Sequence, residues 1–190
     1  MIMINTKEDL LYYLEEDKKA LGISVKRPCF RGADVWKFQI ALRYAEYYMN
    51  IRSNLSRGGV VKKLLLKFPS HYWNVRYYNY SMRLGFDIPR NVFGPGLNIH
   101  HYGCIVVNAH AKVGKNCNLQ QHTTIGQGSR GDYAVIGDNV FIGTGAKIIG
   151  PVHIADNCQI GANAVVTKDF LEEGSIIAGV PAKVIGKVKK

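Results

Sequence analysis

Acidic residues are scarce in this chain. Its 190 residues hold 14 Asp and Glu against 25 Lys and Arg, a formal net charge of +11 at pH 7. Cysteine is also scarce: four thiols without close pairing argue against a disulfide framework and against a zinc module. No apolar run reaches the ~18–20 residues needed to cross a bilayer, so no stable membrane insertion is expected. The opening Met1-Ile2-Met3-Ile4-Asn5-Thr6-Lys7-Glu8-Asp9 meets acidic side chains at once and lacks the basic-then-apolar order of a secretory leader. A cytoplasmic location is the default. At 47% hydrophobic residues the chain has enough apolar mass for a core and is not disordered. Its length suits one domain, or one with a small appendage.

Much of the positive charge lies before residue 91, at Lys18, Lys19, Lys26, Arg27, Arg31, Lys62, Lys63, Lys67, Arg76, Arg83 and Arg90. A second group, Lys183, Lys187, Lys189 and Lys190, closes the chain. Scattered cations read first as a solvated face. No nucleic-acid or anionic-surface motif accompanies them, so no nucleic-acid partner is expected. An anionic small ligand is the remaining option.

The first half has helical grammar. Thr6 caps a helix from Lys7, with Asp9 at the third position and Leu10, Leu11 and Leu14 behind it; Gly22 ends it. Asp34 is placed to cap a second helix through Trp36, Ile40, Ala41, Tyr44 and Tyr48 to about Asn54. A third stretch runs from Val60 to Phe68. Pro69 is expected to interrupt there, with Ser70 capping a further helix through Tyr72, Val75, Tyr78 and Met82 to Gly85. The tyrosines of this region read as packing residues with wet hydroxyls.

The second half has a different period. Every sixth residue from Ile136 is aliphatic: Ile142, Ile148, Ile154, Ile160, Val166. Upstream the same step gives Val107, Val113, Leu119 and Ile125. The fourth residue after each marker is small or slim, as at Ala111, Cys117, Thr123, Val140, Ala146, Val152, Cys158 and Ala164. This fits neither a helix nor an alternating strand. It suits a parallel β-helix, whose aliphatics fill the interior while small residues let the corners close. The phase breaks once, between Ile125 and Ile136, where five extra residues in a Gly-rich polar stretch must leave the wall as a loop. Such insertions commonly build the binding face. Stepping back six from Val107 lands on His101, an imidazole where the repeat asks for an aliphatic. A polar group in core phase costs free energy unless it is hydrogen-bonded, which makes His101 a candidate functional residue.

Three segments together carry a resemblance. Gly96-Leu97-Asn98-Ile99-His100-His101-Tyr102-Gly103-Cys104-Ile105-Val106-Val107, the hexapeptide run and the closing Ala178-Gly179-Val180-Pro181-Ala182-Lys183 resemble the serine acetyltransferase branch of the left-handed β-helix acyltransferases. The match covers about residues 87–187. With the helices it implies a mainly β fold with an α N-terminal part: a helical domain over 1–86, then a left-handed parallel β-helix over 87–190 ending in a CoA-clamp tail. It implies acetyl-CoA as donor, no metal, a homotrimer and an active site between neighbouring subunits. By position the family's catalytic histidine falls on His101, and its orienting aspartate on Asp87 with one residue deleted between them. The chemistry agrees: a neutral imidazole removes the proton of an attacking hydroxyl, and a carboxylate fixes its tautomer. The donor site falls on Gly143, Thr144, Gly145, Ala146, Ala162 and Asn163, with Ala178, Pro181 and Lys183 in the clamp and Lys183 suited to a phosphate.

The acceptor positions depart from that branch. His100 stands where the family has an aspartate for the serine amino group. Asp132 and Tyr133 replace its Arg-His pair for the serine carboxylate. A site with Asp, Tyr and His suits a neutral polyol, so a sugar hydroxyl in surface-polysaccharide building is the expected acceptor, with serine as the alternative. Two rivals from other classes are weaker. A metal-dependent β-helix enzyme needs three converging histidines, and His71, His100, His101, His110, His122 and His153 lack the close spacing. A non-catalytic scaffold would not need both His101 and Asp87. His122, three residues after Leu119, could compete with His101 as base but reads as a turn or rim position. Cys117 and Cys158 fall at the small inward position, and Cys104 is expected to pack.

Overall fold

In the computed structural model, residues 3–55, 60–128 and 131–189 are described. Four helices lead: α1 (Lys7–Ala20), α2 (Asp34–Ser53), α3 (Val60–Leu65) and α4 (Lys67–Leu84). Thr6 closes a capping box at α1. The Asp9 amide donates to Thr6 Oγ1 at 3.0 Å, and the Thr6 amide donates to Asp9 Oδ2 at 2.9 Å. The amides of Thr6 and Asn5 hold the Asp9 carboxyl below its usual range. At α2 the cap differs from expectation. Ala33, in left-handed backbone at φ 53°, takes the N-cap place without a side-chain bond, and Asp34 is the first helical residue. Pro69 does not interrupt. It lies in the first turn of α4, where its missing N–H would have had no partner anyway, and the buried Ser70 is a helical residue rather than a cap. Gly85 ends α4 in left-handed backbone, as expected.

Beyond Gly85 the chain winds as a parallel β-solenoid of about five turns. Short strands stack into three flat faces, each named here for its second-coil residue. The Val113 face comprises strands 112–113, 135–136 and 153–154, flanked by bridges to Phe93 and Phe170. The Leu119 face comprises 98–99, 118–119, 141–142, 159–160, 175–178 and an antiparallel closing strand 183–187. The Ile125 face comprises 86–87, 105–107, 124–126, 147–149 and 165–166. Pairing is in strict register: Leu119 meets Ile142 and Ile99, and Ile125 meets Val107 and Ile148. All the aliphatic markers from Val107 to Val166 are buried, as are the slim residues between them, Cys117 and Cys158 included. Burial without a partner pushes the Cys117 thiol up to about 12, so it acts as a compact apolar group.

One buried ionic knot docks the helices onto the first coil. Arg43 of α2 is fully buried. It bonds Asp17 of α1 at 2.7 and 3.2 Å and Glu46 at 3.1 Å, and it donates to the carbonyls of Phe93 and Gly94. Asp17 also accepts the amides of Gly96 and Leu97, and Glu46 accepts that of Asn91. Burial opposes the Arg43 charge, but the two carboxylates outweigh it and hold the guanidinium above its ordinary range. The same burial pushes the Glu46 carboxyl up. Removing one member of such a knot leaves a buried charge unpaired, at a cost of about 3–5 kcal/mol.

Candidate functional site

A triangular coil has three corners, and the residues singled out in sequence divide between them. The corner from the Leu119 face to the Ile125 face is formed, coil by coil, by residues 100–104, 120–123, 143–146, 161–164 and 178–182. Successive coils are tied there by main-chain bonds: Gly145 N–H to Gln121 O at 3.0 Å, Asn163 N–H to Thr144 O at 2.8 Å and Val165 N–H to Gly179 O at 3.0 Å. His100, His101, Gly143, Thr144, Gly145, Ala146, Ala162, Asn163, Ala178 and Pro181 therefore share one edge of the prism. Lys183 follows it directly. This edge gathers the catalytic histidine candidate and every donor-site candidate.

His101 is not in the core. It is exposed, and the inward residue of its coil is Ile99, paired with Leu119. Ile99 to Val107 takes eight steps, where Leu119 to Ile125 takes six. The longer corner lifts residues 100–104 off the wall and breaks the phase that pointed inward. Cys104, expected to pack, is exposed for the same reason. The rings of His100 and His101 lie 6.2 Å apart. Asp87 ends the first strand of the Ile125 face, beside Val106, and is exposed. The corner is anchored next to it by Gly103 N–H to Leu84 O and Ile105 N–H to Gly85 O, both 3.0 Å. Within one chain, neither Asp87 nor the His101 ring hydrogen-bonds another described residue.

Asp132 and Tyr133 lie elsewhere. The inserted loop leaves the corner between the Ile125 and Val113 faces, where Tyr133 stands 6.1 Å from the His110 ring and under Lys112. Ser129 and Arg130 of that loop lie outside the described residues. The substrate-contact set His100, Asp132 and Tyr133 is thus divided between two edges of one chain.

The glycines on the site edge have a packing role of their own. A Cβ on Gly143 would come within 2.7 Å of Ala162 N and Ile160 O, and one on Gly145 would overlap Asn163. Coil stacking alone accounts for them; the candidate Ala146 is buried in the core, and the exposed Ala162, Asn163, Pro181 and Lys183 are the side chains that remain open to a ligand.

Comparison with known proteins joins these observations. Residues 133–168 match the family model "Bacterial transferase hexapeptide (six repeats)". A serine acetyltransferase of Mycobacterium tuberculosis is 38% identical over 107 residues, covering 54% of this chain and 46% of that protein. A solved serine O-acetyltransferase of Brucella melitensis aligns with TM-score 0.65 and 25% identity, over 96% of this chain and 69% of that one. A Neisseria gonorrhoeae serine acetyltransferase solved in complex with serine aligns with TM-score 0.64 and 26% identity, over 93% and 69%. The chain is similar to serine acetyltransferases, and residues 133–168 carry the hexapeptide repeat. It spans about half the length of the curated relatives it matches.

In this hexapeptide-repeat chain the structure adds two residues that sequence reading passed over. Gln121 lies on the site edge with its Oε1 buried and without a hydrogen-bond partner. Lys147 reaches back along the edge to donate to the His122 carbonyl. His122 itself is exposed in left-handed backbone at φ 61°, with its ring beside the space a Cβ on Gly103 would fill. It is a turn residue, as expected, but one coil from His101. No sequence pattern marks Gln121; only the orphaned amide oxygen does. No group of metal-ligating side chains occurs among the described residues.

Proposed function

We propose that the protein is an acetyl-CoA-dependent O-acetyltransferase in which His101 is the general base. The observation that carries this reading is the shared edge, on which His101 stands in line with Gly143–Ala146, Ala162, Asn163 and the Ala178–Lys183 turn. His101 takes the proton as the acceptor oxygen attacks the thioester carbonyl, and coenzyme A leaves as the thiol. Asp87 orients the imidazole and stabilises its charged form. Lys183 meets a phosphate of the donor, and small exposed side chains along the coils let the pantetheine arm lie close.

A corner of a prism is convex, so one chain offers only one wall of a site. Asp132 and Tyr133 reach His101 only if a neighbouring copy brings its loop edge against this one. That supports a homotrimer with sites between subunits. Serine is the acceptor that the relatives' names support best, and we take it as the first reading. A neutral hydroxyl, such as a sugar's, is the second. It rests on His100, Asp132 and Tyr133, which replace the partners expected for a zwitterion, and the relatives named above add no support to it.

The test follows free thiol from acetyl-CoA with L-serine beside a panel of sugars. His101→Ala should lower turnover by roughly 10²–10⁴-fold, the usual share of a general base. Asp87→Asn should lower it less. Turnover of every acceptor that is indifferent to His101→Ala would sink the mechanism. Turnover of sugars but not serine would reverse the order of the two acceptors.

A further inference from the structure

Away from the site edge, one cluster of side chains holds more hydrogen-bond donors than the fold uses. Between Glu46 and Asp87 the sequence has no acidic residue and seven Lys and Arg, of which Arg57 lies outside the described residues. The structure brings two of these cations together with a third from further along the chain. Arg52 comes from the last turn of α2, Lys63 from α3 and Arg90 from the segment that enters the solenoid. All three are half-buried. With Met49, Ser53, Ser70 and Asn74 they line a cavity of about 420 Å³, and no Asp or Glu is among its lining residues. A volume of this order falls in the range of small-molecule sites.

The acceptors in the lining are already taken. Ser70 Oγ accepts Arg52 Nη1 at 3.2 Å, and Asn74 Oδ1 accepts Arg90 Nη1 at 2.6 Å. The donors are not. Arg52 Nε is buried without a partner. Lys63 has no hydrogen bond or ion pair among the described residues, and neither Arg52 nor Arg90 has a carboxylate partner there. Glu46, the last acid before Arg52, is held by Arg43 and the Asn91 amide. A basic residue in the last turn of a helix ordinarily answers that helix's own carbonyls. Arg52 turns instead to Ser70 of α4, so the helix end does not account for it. Three cations in one cavity repel one another, and a buried N–H left unbonded costs more than an ordinary hydrogen bond gains.

We propose that this cavity binds the phosphoryl group of a small, soluble phosphate ester. An oxyanion of this kind brings what the cluster lacks, negative charge and several acceptor lone pairs on one centre. A guanidinium fork matches two phosphate oxygens side by side, and the Lys63 ammonium meets them as a point charge. The Ser70 hydroxyl, whose oxygen already accepts, keeps its proton to donate. None of the lining residues lies on the edge that carries His101 and Lys183, so this site is separate from the one proposed for the donor. A phospholipid headgroup carries the same chemical group. The cavity, however, lies on the side of α4 that carries the buried Ser70, opposite the exposed Phe68, Tyr72 and Val75. A bilayer that reached the cations would leave those apolar side chains on the far side of the helix, which favours a soluble ligand.

Titration calorimetry of the full chain tests this, with inorganic phosphate and glycerol 3-phosphate as probes. Both should saturate one site per chain, with a dissociation constant on the order of 1 mM or tighter, as two or three charge-assisted hydrogen bonds supply. Lys63→Ala removes a side chain that bonds nothing in the fold and should weaken both probes roughly tenfold. Arg52→Lys keeps the charge but removes the fork and should weaken them by roughly the same factor. Lys63→Ala should keep the wild-type thermal transition and coenzyme A release; if Arg52→Lys unfolds more easily, Lys63→Ala decides alone. Lys183→Ala should leave probe binding unchanged, and a loss there would place the phosphate on the donor edge and overturn the proposal. Absence of saturable binding by either probe overturns it too, as does affinity unchanged in Lys63→Ala and Arg52→Lys. Inorganic phosphate that binds while glycerol 3-phosphate does not would make this a bare-ion site and overturn the ester. Phosphatidylglycerol vesicles that bind through Lys63 while the soluble probes do not would give the cavity to a membrane and overturn the soluble ligand.

Discussion

Two corners of the same β-helix turn with the same backbone and end in different chemistry. At the corner from the Val113 face to the Leu119 face, Asn116, Asn139 and Asn157 all adopt left-handed backbone, at φ 54°, 57° and 61°. Their amides form a ladder, Asn116 to Asn139 at 2.9 Å and Asn139 to Asn157 at 3.0 Å. Alongside, Asp138 accepts the Lys115 amide and Asp156 accepts that of Asp138, each at 2.7 Å. At the site corner the equivalent left-handed residues are His122, Gly145 and Asn163, with Gly103 and Gly179 also at positive φ. No side-chain ladder joins them. One corner satisfies itself; the other leaves an exposed imidazole, a buried amide oxygen without a partner and small open residues. A repeat needs only one turn geometry, so side chains freed from closing the corner are available for binding.

If that division holds, damage at the two corners should separate into lost turnover and lost stability. The largest effect is expected from His101→Ala. Turnover should fall by roughly 10²–10⁴-fold with the thermal midpoint unchanged, because an exposed, unbonded imidazole supports nothing in the fold. A midpoint that drops with the activity would mean the site corner is structural too. Gly143→Ala, on the same corner as His101 but in its stacked wall, should lower stability whatever it does to turnover. Its new Cβ would press on Ala162 N and Ile160 O at 2.7 Å, both backbone atoms that cannot swing away. Overpacking of this kind costs about 1–3 kcal/mol, readable as a lower urea midpoint. An unchanged midpoint would show that the coils can slide apart there. Asn139→Ala removes the middle rung of the ladder and puts a Cβ residue without a side-chain oxygen at φ 57°. About 1–2 kcal/mol should be lost, with turnover per folded molecule intact. Loss of turnover instead would place the second corner in the site.

These expectations also show what could be read before any coordinates. Each aliphatic marker from Val107 to Val166 was legible because a coil of fixed circumference leaves room for one large side chain per face. His101 was singled out for the wrong reason. Counting by six presumes every corner has equal length, and the corner after Ile99 is longer, so the residue lifted outward looked like one turned inward. Pro69 misled in a similar way: proline breaks a helix only where its N–H is needed, and in a first turn it is not. Gln121 and the Arg52–Lys63–Arg90 cavity were not legible at all. An orphaned oxygen and a shared lining are properties of packing, and scattered Lys and Arg ordinarily mark a solvated face.

The smallest effect is expected from His122→Ala, and it sharpens the comparison most. His122 holds the place in its coil that Gly145 and Asn163 hold in theirs, so its left-handed backbone is a demand of the corner rather than of catalysis. Its ring nevertheless lies 3.5 Å from where a Cβ on Gly103 would stand, in the segment that carries His101. If it only packs there, His122→Ala should cost less than tenfold in turnover, and His122→Asn should recover part of any lost stability because asparagine tolerates that backbone well. If His122 were the base, His122→Ala would match or exceed His101→Ala, and no substitution lacking an imidazole would restore the rate. A double variant separates the two cases. For a packing residue, the His122→Ala penalty should persist unchanged in the His101→Ala background, whereas two histidines acting on one proton would give a combined loss well short of the product of the single losses.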